Sequence, residues 1–185
     1  MFIPTYQIAF SEIEIRHPKF SGYGHLALPT LRNAHQEFKI NLEFRPDSLS
    51  GLLLYSGEMT DLRTDFFSLY LDSGHLVFRF DCGTGPAELW TDNRVTLSEW
   101  NTCQVWRRGN VGGVRLNNYS EAKGTTKGEY SRITFRLPLY LGGSPDLSVV
   151  SDRVGTIFSF SGCIESMAIN NHQYNFKVKG MHAFR

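Results

Sequence analysis

Seven cations fall between residues 107 and 136: Arg107, Arg108, Arg115, Lys123, Lys127, Arg132 and Arg136. A guanidinium offers paired N–H donors in a planar fork, which suits it to clamp sulfate or carboxylate groups, and lysine adds a mobile point charge. The chemistry implied is recognition of an acidic glycan or a heparin-like chain, with Arg107, Arg108, Lys123, Lys127 and Arg136 as candidate contacts. The competing reading is a set of solvated surface charges with no common ligand. Trp90, Trp100 and Trp106 could stack on sugar rings, although tryptophan in an all-β domain more often packs in the core or at its rim. Asn118-Tyr119-Ser120 is a glycosylation sequon.

Nucleophilic and metal chemistry is poorly represented. Three cysteines, Cys82, Cys103 and Cys163, cannot all pair with one another, and no CxxC spacing suggests zinc. Cys82 and Cys103 read as free thiols, Cys103 as a small core hydrophobe. Six histidines lie scattered without HxxxH or HExxH spacing. Glycoside hydrolysis needs two carboxylates flanking one bond, and Glu43 and Glu88 are candidates, but nothing marks them as a pair. The chain has no Gly-x-Ser-x-Gly elbow and no phosphate-cradling glycine loop. A binding module, a purely structural or protein-docking module and an enzyme are the three classes to separate; no residue pattern supports the enzyme, and the choice between the first two rests on family resemblance alone.

The elements that must position these residues are short strands. From Glu37 to Arg45, Phe38, Ile40, Leu42 and Phe44 alternate with Lys39, Asn41, Glu43 and Arg45, the period of a half-buried strand. Pro46-Asp47-Ser48 stops it, and Gly51 opens Leu52-Leu53-Leu54-Tyr55. Residues 66–71 and 75–80 flank Asp72-Ser73-Gly74 as a hairpin, closed by Gly83-Thr84-Gly85-Pro86. A second hairpin runs over 100–107 and 113–117 around the polar turn 108–112, and 122–129 reads as a surface loop. Later strands are expected at 137–141, 161–169 and 174–178. About a dozen short strands at such intervals, with no internal repeat, describe one antiparallel sandwich.

Bulk properties agree. With 185 residues, 41% hydrophobic and 20% charged, the chain can fill one globular core. A formal net charge of +1 argues against a nucleic-acid binder, whose surface normally carries a strong basic excess. No apolar run approaches the ~20 residues of a membrane span. Residues 1–10 lack the pattern of a secretory leader, so the chain is expected to be a piece of a larger multidomain protein or a mature fragment.

The order of motifs carries a resemblance. Ser50 to Gly57, Asp65-Phe66-Phe67-Ser68-Leu69, the Gly74 to Phe80 run, Gly83-Thr84-Gly85-Pro86-Ala87, Trp100, Leu139-Tyr140-Leu141-Gly142-Gly143 and Phe160-Ser161-Gly162-Cys163-Ile164 together resemble a laminin G-like domain. The likeness covers residues 23–180, leaving 1–22 as an extension or leading strand and 181–185 as a tail. Gly24-His25-Leu26-Ala27-Leu28-Pro29 and Gly74-His75-Leu76-Val77-Phe78-Arg79 look most like the G-like modules of perlecan, the basement-membrane proteoglycan.

The resemblance implies a jelly-roll sandwich of two curved antiparallel sheets, secreted into the extracellular matrix. It also implies loops at one rim that often hold calcium and bind sulfated or acidic sugars, dystroglycan-type glycans or protein partners. Matching the calcium-binding pattern residue by residue gives the Asp65 carboxylate, the Cys82 carbonyl, the Arg132 carbonyl and the Thr134 side chain. Thr134 is a departure, a neutral hydroxyl where the pattern has a carboxylate or amide, so the calcium implied is weak. Asp61 is a conceivable substitute. The resemblance further implies a disulfide from Cys163 to a cysteine near the domain's end, yet no cysteine follows it before Arg185.

Overall fold

Sequences that alternate in polarity build strands with one wet face, and unbroken apolar runs build strands with two dry faces. This computed structural model, which describes residues 10–15, 17–58, 64–174 and 176–181, contains both kinds. In chain order the strands are β1 (Phe10–Ile15), β2 (Lys19–Ser21), β3 (Leu26–Leu28), β4 (Glu37–Pro46), β5 (Gly51–Gly57), β6 (Phe66–Asp72), β7 (His75–Asp81) and β8 (Ala87–Arg94). They continue as β9 (Asn101–Arg108), β10 (Val111–Leu116), β11 (Ala122–Thr125) and β12 (Leu139–Leu141). After helix α1 (Leu147–Val154) come β13 (Ser161–Ile169), β14 (His172–Gln173) and β15 (Phe176–Met181).

Two antiparallel sheets make the jelly-roll sandwich. One has seven strands, ordered β11-β10-β9-β4-β13-β14 with β2 also on β13; the other has six, ordered β3-β12-β5-β6-β7-β8. A separate ribbon pairs β1 with β15. Between the sheets lies one core that includes Phe38, Phe44, Phe67, Phe78, Phe80 and Phe160. Phe38 and Phe67 have ring centroids 4.9 Å apart, and Phe78 stacks on Phe80 at 5.0 Å. Cys103 is buried in this core, as a small hydrophobe should be.

The alternating β4 faces the core with Phe38, Ile40, Leu42 and Phe44, and turns its polar side chains outward. In contrast β5 is buried along its whole length. A register shift between Leu52 and Leu54 sends both Leu53 and Leu54 to the main core. Leu52 and Tyr55 face the other way, into a second cluster with Phe66, Tyr70 and Val77. The lid on that cluster is α1, through Val150 and Val154.

Several elements depart from the sequence expectation, strands β3 and β8 among them. Residues 122–125, read as loop, form an edge strand paired to β10; an internal glycine, Gly124, and polar side chains hide a strand whose stability comes from its neighbour's backbone. Helix α1 has no counterpart in the sequence reading, because eight residues with three serine or aspartate side chains give little helical periodicity. Within 1–22, the stretch expected as an extension or leading strand, β2 joins the seven-stranded sheet and β1 the ribbon.

Candidate functional site

Turns and loops from both sheets meet at one end of the sandwich. Backbone bonds tie them: Gly109 donates to the Gln36 carbonyl at 2.8 Å, Ile133 to His35 at 2.9 Å and Arg136 to Gly57 at 2.9 Å. Lys127 donates to Gly85 at 3.3 Å, which brings the segment after β11 against the turn between β7 and β8.

Beneath this rim lies Arg107, 1% exposed. Its Nη1 donates to the carbonyls of Gly109 at 2.5 Å and Ser131 at 3.1 Å, and its Nη2 to those of Ala34 at 3.1 Å and His35 at 2.6 Å. One guanidinium thus pins three loops. Burial pushes its pKa below the ordinary value, and the Phe38 ring lies 5.5 Å beneath it. Arg107 is therefore a structural cation, and its expected role as a glycan contact is corrected: a buried guanidinium whose two Nη atoms are committed to four carbonyls is out of a ligand's reach. The sequence hid this because Arg107 and Arg108 are adjacent, and adjacent residues on a strand point to opposite faces.

Asp65 opens β6 on the same rim. Its Oδ2 accepts from the Thr134 N–H at 2.9 Å. Arg153 of α1, itself buried, donates through Nη2 to the Thr64 carbonyl at 2.6 Å and the Asp65 carbonyl at 2.7 Å, fixing the backbone from behind. In front, the turn 83–85 is capped by Asp81, whose Oδ1 accepts from the N–H groups of Gly83, Thr84 and Gly85 at 2.7–3.0 Å. Gly83 has φ +100°, and a Cβ there would come within 3.1 Å of Asp65 Oδ1, so glycine lets the turn approach the carboxylate. A cleft of about 410 Å³ results, lined by Asp65, Cys82, Gly83 and residues 129–132. Asp65, Cys82 and Arg132 come together as expected. Glu129 also lines the cleft, a carboxylate the motif reading missed because it lies in a polar segment without periodicity.

The remaining cations divide. Arg108 pairs with Glu37 at 3.6 Å, Lys123 with Glu121 at 3.1 Å and Arg136 with Glu58 at 3.5 Å. Exposed Lys127 and Arg132 enter no such pair among the described residues. A second hollow of about 570 Å³ adjoins the Asp65 cleft through Ser131 and Arg132, and Arg108 borders it. Lys123 lies on β11, away from these hollows, with its ammonium 5.9 Å from the Trp106 ring centroid. Arg108, Lys127, Arg132 and Arg136 therefore belong to the rim, while Lys123 belongs to the sheet face.

Comparison with known proteins decides the family. The family model for the laminin G domain matches residues 44–172. The chain belongs to the laminin G family. It is 40% identical over 166 residues to human pikachurin, an alignment taking in 90% of this chain and 16% of that protein. To the mouse basement membrane-specific heparan sulfate proteoglycan core protein it is 32% identical over 160 residues, 83% of this chain and 4% of that one. The chain thus spans under a fifth of the length of these relatives. Among solved structures, domains LG4-5 of the mouse laminin alpha1 chain superpose with a TM-score of 0.76 at 21% identity, covering 97% of this chain and 52% of that one. The CBM40 of Ruminococcus gnavus IT-sialidase, bound to alpha2,3 sialyllactose, superposes with a TM-score of 0.64 at 18% identity, covering 88% and 93%. At those identities the structural likenesses establish the fold. The protein is a laminin G domain related to those of basement-membrane proteins.

The calcium site that laminin G kinship implies can be tested against the side chains. A hard cation wants six to eight oxygens with carboxylate charge. Here Asp65 and Glu129 are the two carboxylates at the cleft, and one oxygen of Asp65 is taken by the Thr134 N–H. Thr134 meets Asp65 as a donor, and a cation, Arg132, lines the cleft. No group of three or more Asp, Glu, His or Cys suited to a metal occurs among the described residues. These residues do not fit a tight calcium site. Asp61 lies outside the described residues.

Other expectations can be placed in the laminin G frame. Cys82, Cys103 and Cys163 are free thiols. Cys163 is half-buried on β13, where the Arg45 guanidinium reaches its sulfur at 3.8 Å. Burial pushes the Cys82 thiol upward, against the pull of nearby Arg107. Asn118 sits exposed in the turn between β10 and β11, the end of β10 opposite the rim. Glu43 and Glu88 lie on the outer faces of different sheets and cannot flank one bond. The three tryptophans are on outer faces too: Trp90 and Trp100 are 41% and 44% exposed, and Trp106 is half-buried. Arg45 covers the Trp100 ring at 5.2 Å.

Proposed function

We propose that this laminin G domain is a non-enzymatic, secreted matrix module whose loop rim docks acidic or sulfated glycans, free or carried by matrix and cell-surface glycoproteins. The observation that carries the reading is Arg132. It lines both the Asp65 cleft and the adjoining hollow, is exposed, and is committed to no carboxylate among the described residues. A fork of unpaired N–H donors in a concave polar site is suited to a sulfate or carboxylate. Lys127, Arg108 and Arg136 add positive potential around it, and the sequon at the far end leaves the rim uncovered. Calcium contributes little to this recognition, because the cleft holds too few free oxygens.

Heparin-affinity chromatography and a glycan array, each with and without calcium, test the reading. Retention above physiological salt, reduced by Arg132→Ala and unchanged by chelation, is expected. Elution below physiological salt overturns the glycan reading and favours docking of protein alone. Calorimetry should find calcium affinity no tighter than roughly 10⁻⁴ M, the range of extracellular modules; submicromolar binding would contradict the side-chain assessment.

A further inference from the structure

The rim does not end at the second hollow. Asn33, Glu37 and Arg108 border it and also border a third hollow, of about 450 Å³, on the outer face of the seven-stranded sheet. With the Asp65 cleft, the three form one track joined by shared residues, and its sheet end is lined by Trp106, Lys39 and Asn170.

Trp106 is built into this end. In register it stands between Lys39 on β4 and Gly113 on β10. A Cβ at Gly113 would come within 2.6 Å of the indole nitrogen, so the ring lies where that side chain would be. Its Nε1 donates to Glu121 at 2.7 Å, and Glu121 also holds Lys123 at 3.1 Å. A locked aromatic beside polar side chains combines an apolar surface for sugar C–H groups with fixed hydrogen-bond partners. Lys39 is exposed and forms no ion pair among the described residues. Asn33, Asn170 and Asn171 border the groove with φ of 55°, 50° and 66°. The tight turn between β13 and β14 explains the last two, and all three place amide side chains, each with donors and acceptors, around the same groove.

We infer that the outer face of the seven-stranded sheet carries a second saccharide subsite, centred on Trp106 and Lys39, which receives the continuation of an acidic oligosaccharide anchored at the rim. The inference rests on the rim reading and adds a length requirement. A disaccharide occupies the rim alone, whereas a hexasaccharide spans the track.

Calorimetric titration with size-fractionated heparin oligosaccharides tests it, using the whole chain and the variants Lys39→Ala, Trp106→Ala and Arg132→Ala. The hexasaccharide should bind about tenfold more tightly than the disaccharide. Lys39→Ala and Trp106→Ala should each weaken hexasaccharide binding about fivefold and leave the disaccharide unchanged. Thermal unfolding checks that Trp106→Ala is folded, and the exposed Lys39 supplies the test if it is not. Equal affinities of wild type and both groove variants at every length, with loss in Arg132→Ala, overturn the subsite and keep the rim. Loss in the groove variants with Arg132→Ala unaffected overturns the rim reading. Absence of binding at every length overturns both.

Discussion

The two sheets share a core but not a surface. The outer face of the six-stranded sheet is covered over its central strands: Leu52, Tyr55, Phe66, Tyr70 and Val77 pack beneath α1, and Ser68 of β6 donates to the Val154 carbonyl at 2.9 Å. The outer face of the seven-stranded sheet is open, with Asn41 accepting from Gln104 at 2.8 Å and Arg115 donating to Gln104 at 3.0 Å in a polar lattice. A short helix thus buries the middle of one sheet's outer face and leaves the other sheet's outer face open. The difference also explains why the loop rim continues onto one face only.

The largest effect expected from breaking this contrast is a charge placed on each face. Val77→Lys, at a fully buried position, should cost more than about 4 kcal/mol, because the ammonium has neither water nor a partner. Thr102→Lys, on the exposed face of β9, should stay within about 0.5 kcal/mol. Urea unfolding of both variants measures the difference, and similar losses would show that the open face is also a packing surface.

A smaller effect sharpens what the open face is for. Gly113→Ala should cost about 1–3 kcal/mol by driving the Trp106 ring off its bed, and should shift the emission of that tryptophan in a background where Trp90 and Trp100 are phenylalanine. Unchanged emission would mean that the ring is not held by this close approach.

The smallest effect is a pH response. Burial acts to raise the Glu121 pKa, but hydrogen bonds from Trp106 and Lys123 and the charges of Lys123 and Arg115 outweigh it, and the net value is lowered. A lowered carboxylate contributes stability that is present above its unfolded pKa and is lost as pH falls through the folded one. Trp106 emission in the same background should therefore change only below the ordinary carboxylate range. A midpoint at or above that range would break the assignment of Glu121 as the ring's anchor.

Much of the scaffold could be read from the chain, and for the reason the sheets differ. Alternation along 37–45 marks β4 because one face is wet, and the run Leu52 to Tyr55 marks β5 because both are dry. Helix α1 escaped because its apolar contacts are few and its docking depends on Arg79, whose Nη1 donates to the Asp152 carbonyl at 2.9 Å, and on Ser68, distant in sequence. At the site, the three residues that motif order grouped, Asp65, Cys82 and Arg132, line one cleft. It misassigns Arg107, since a cation that ties four carbonyls looks in sequence like any surface arginine. The track to Trp106 was illegible because Asn33, Lys39, Trp106 and Asn170 lie far apart in sequence and meet only through the pairing of Lys39 with Trp106 and the bond from the Lys39 N–H to the Asn170 side chain.

The ribbon of β1 and β15 bears on mechanics. Phe10 stands opposite Met181 and Ile15 opposite Phe176, so the chain arrives and departs at the same end of this ladder. Tension drawn between those ends peels the ladder one rung after another, as a zip opens, and never shears all rungs at once. The last of the six rungs, Ile15 opposite Phe176, is tied to the sandwich, since Phe176 is buried in the main core.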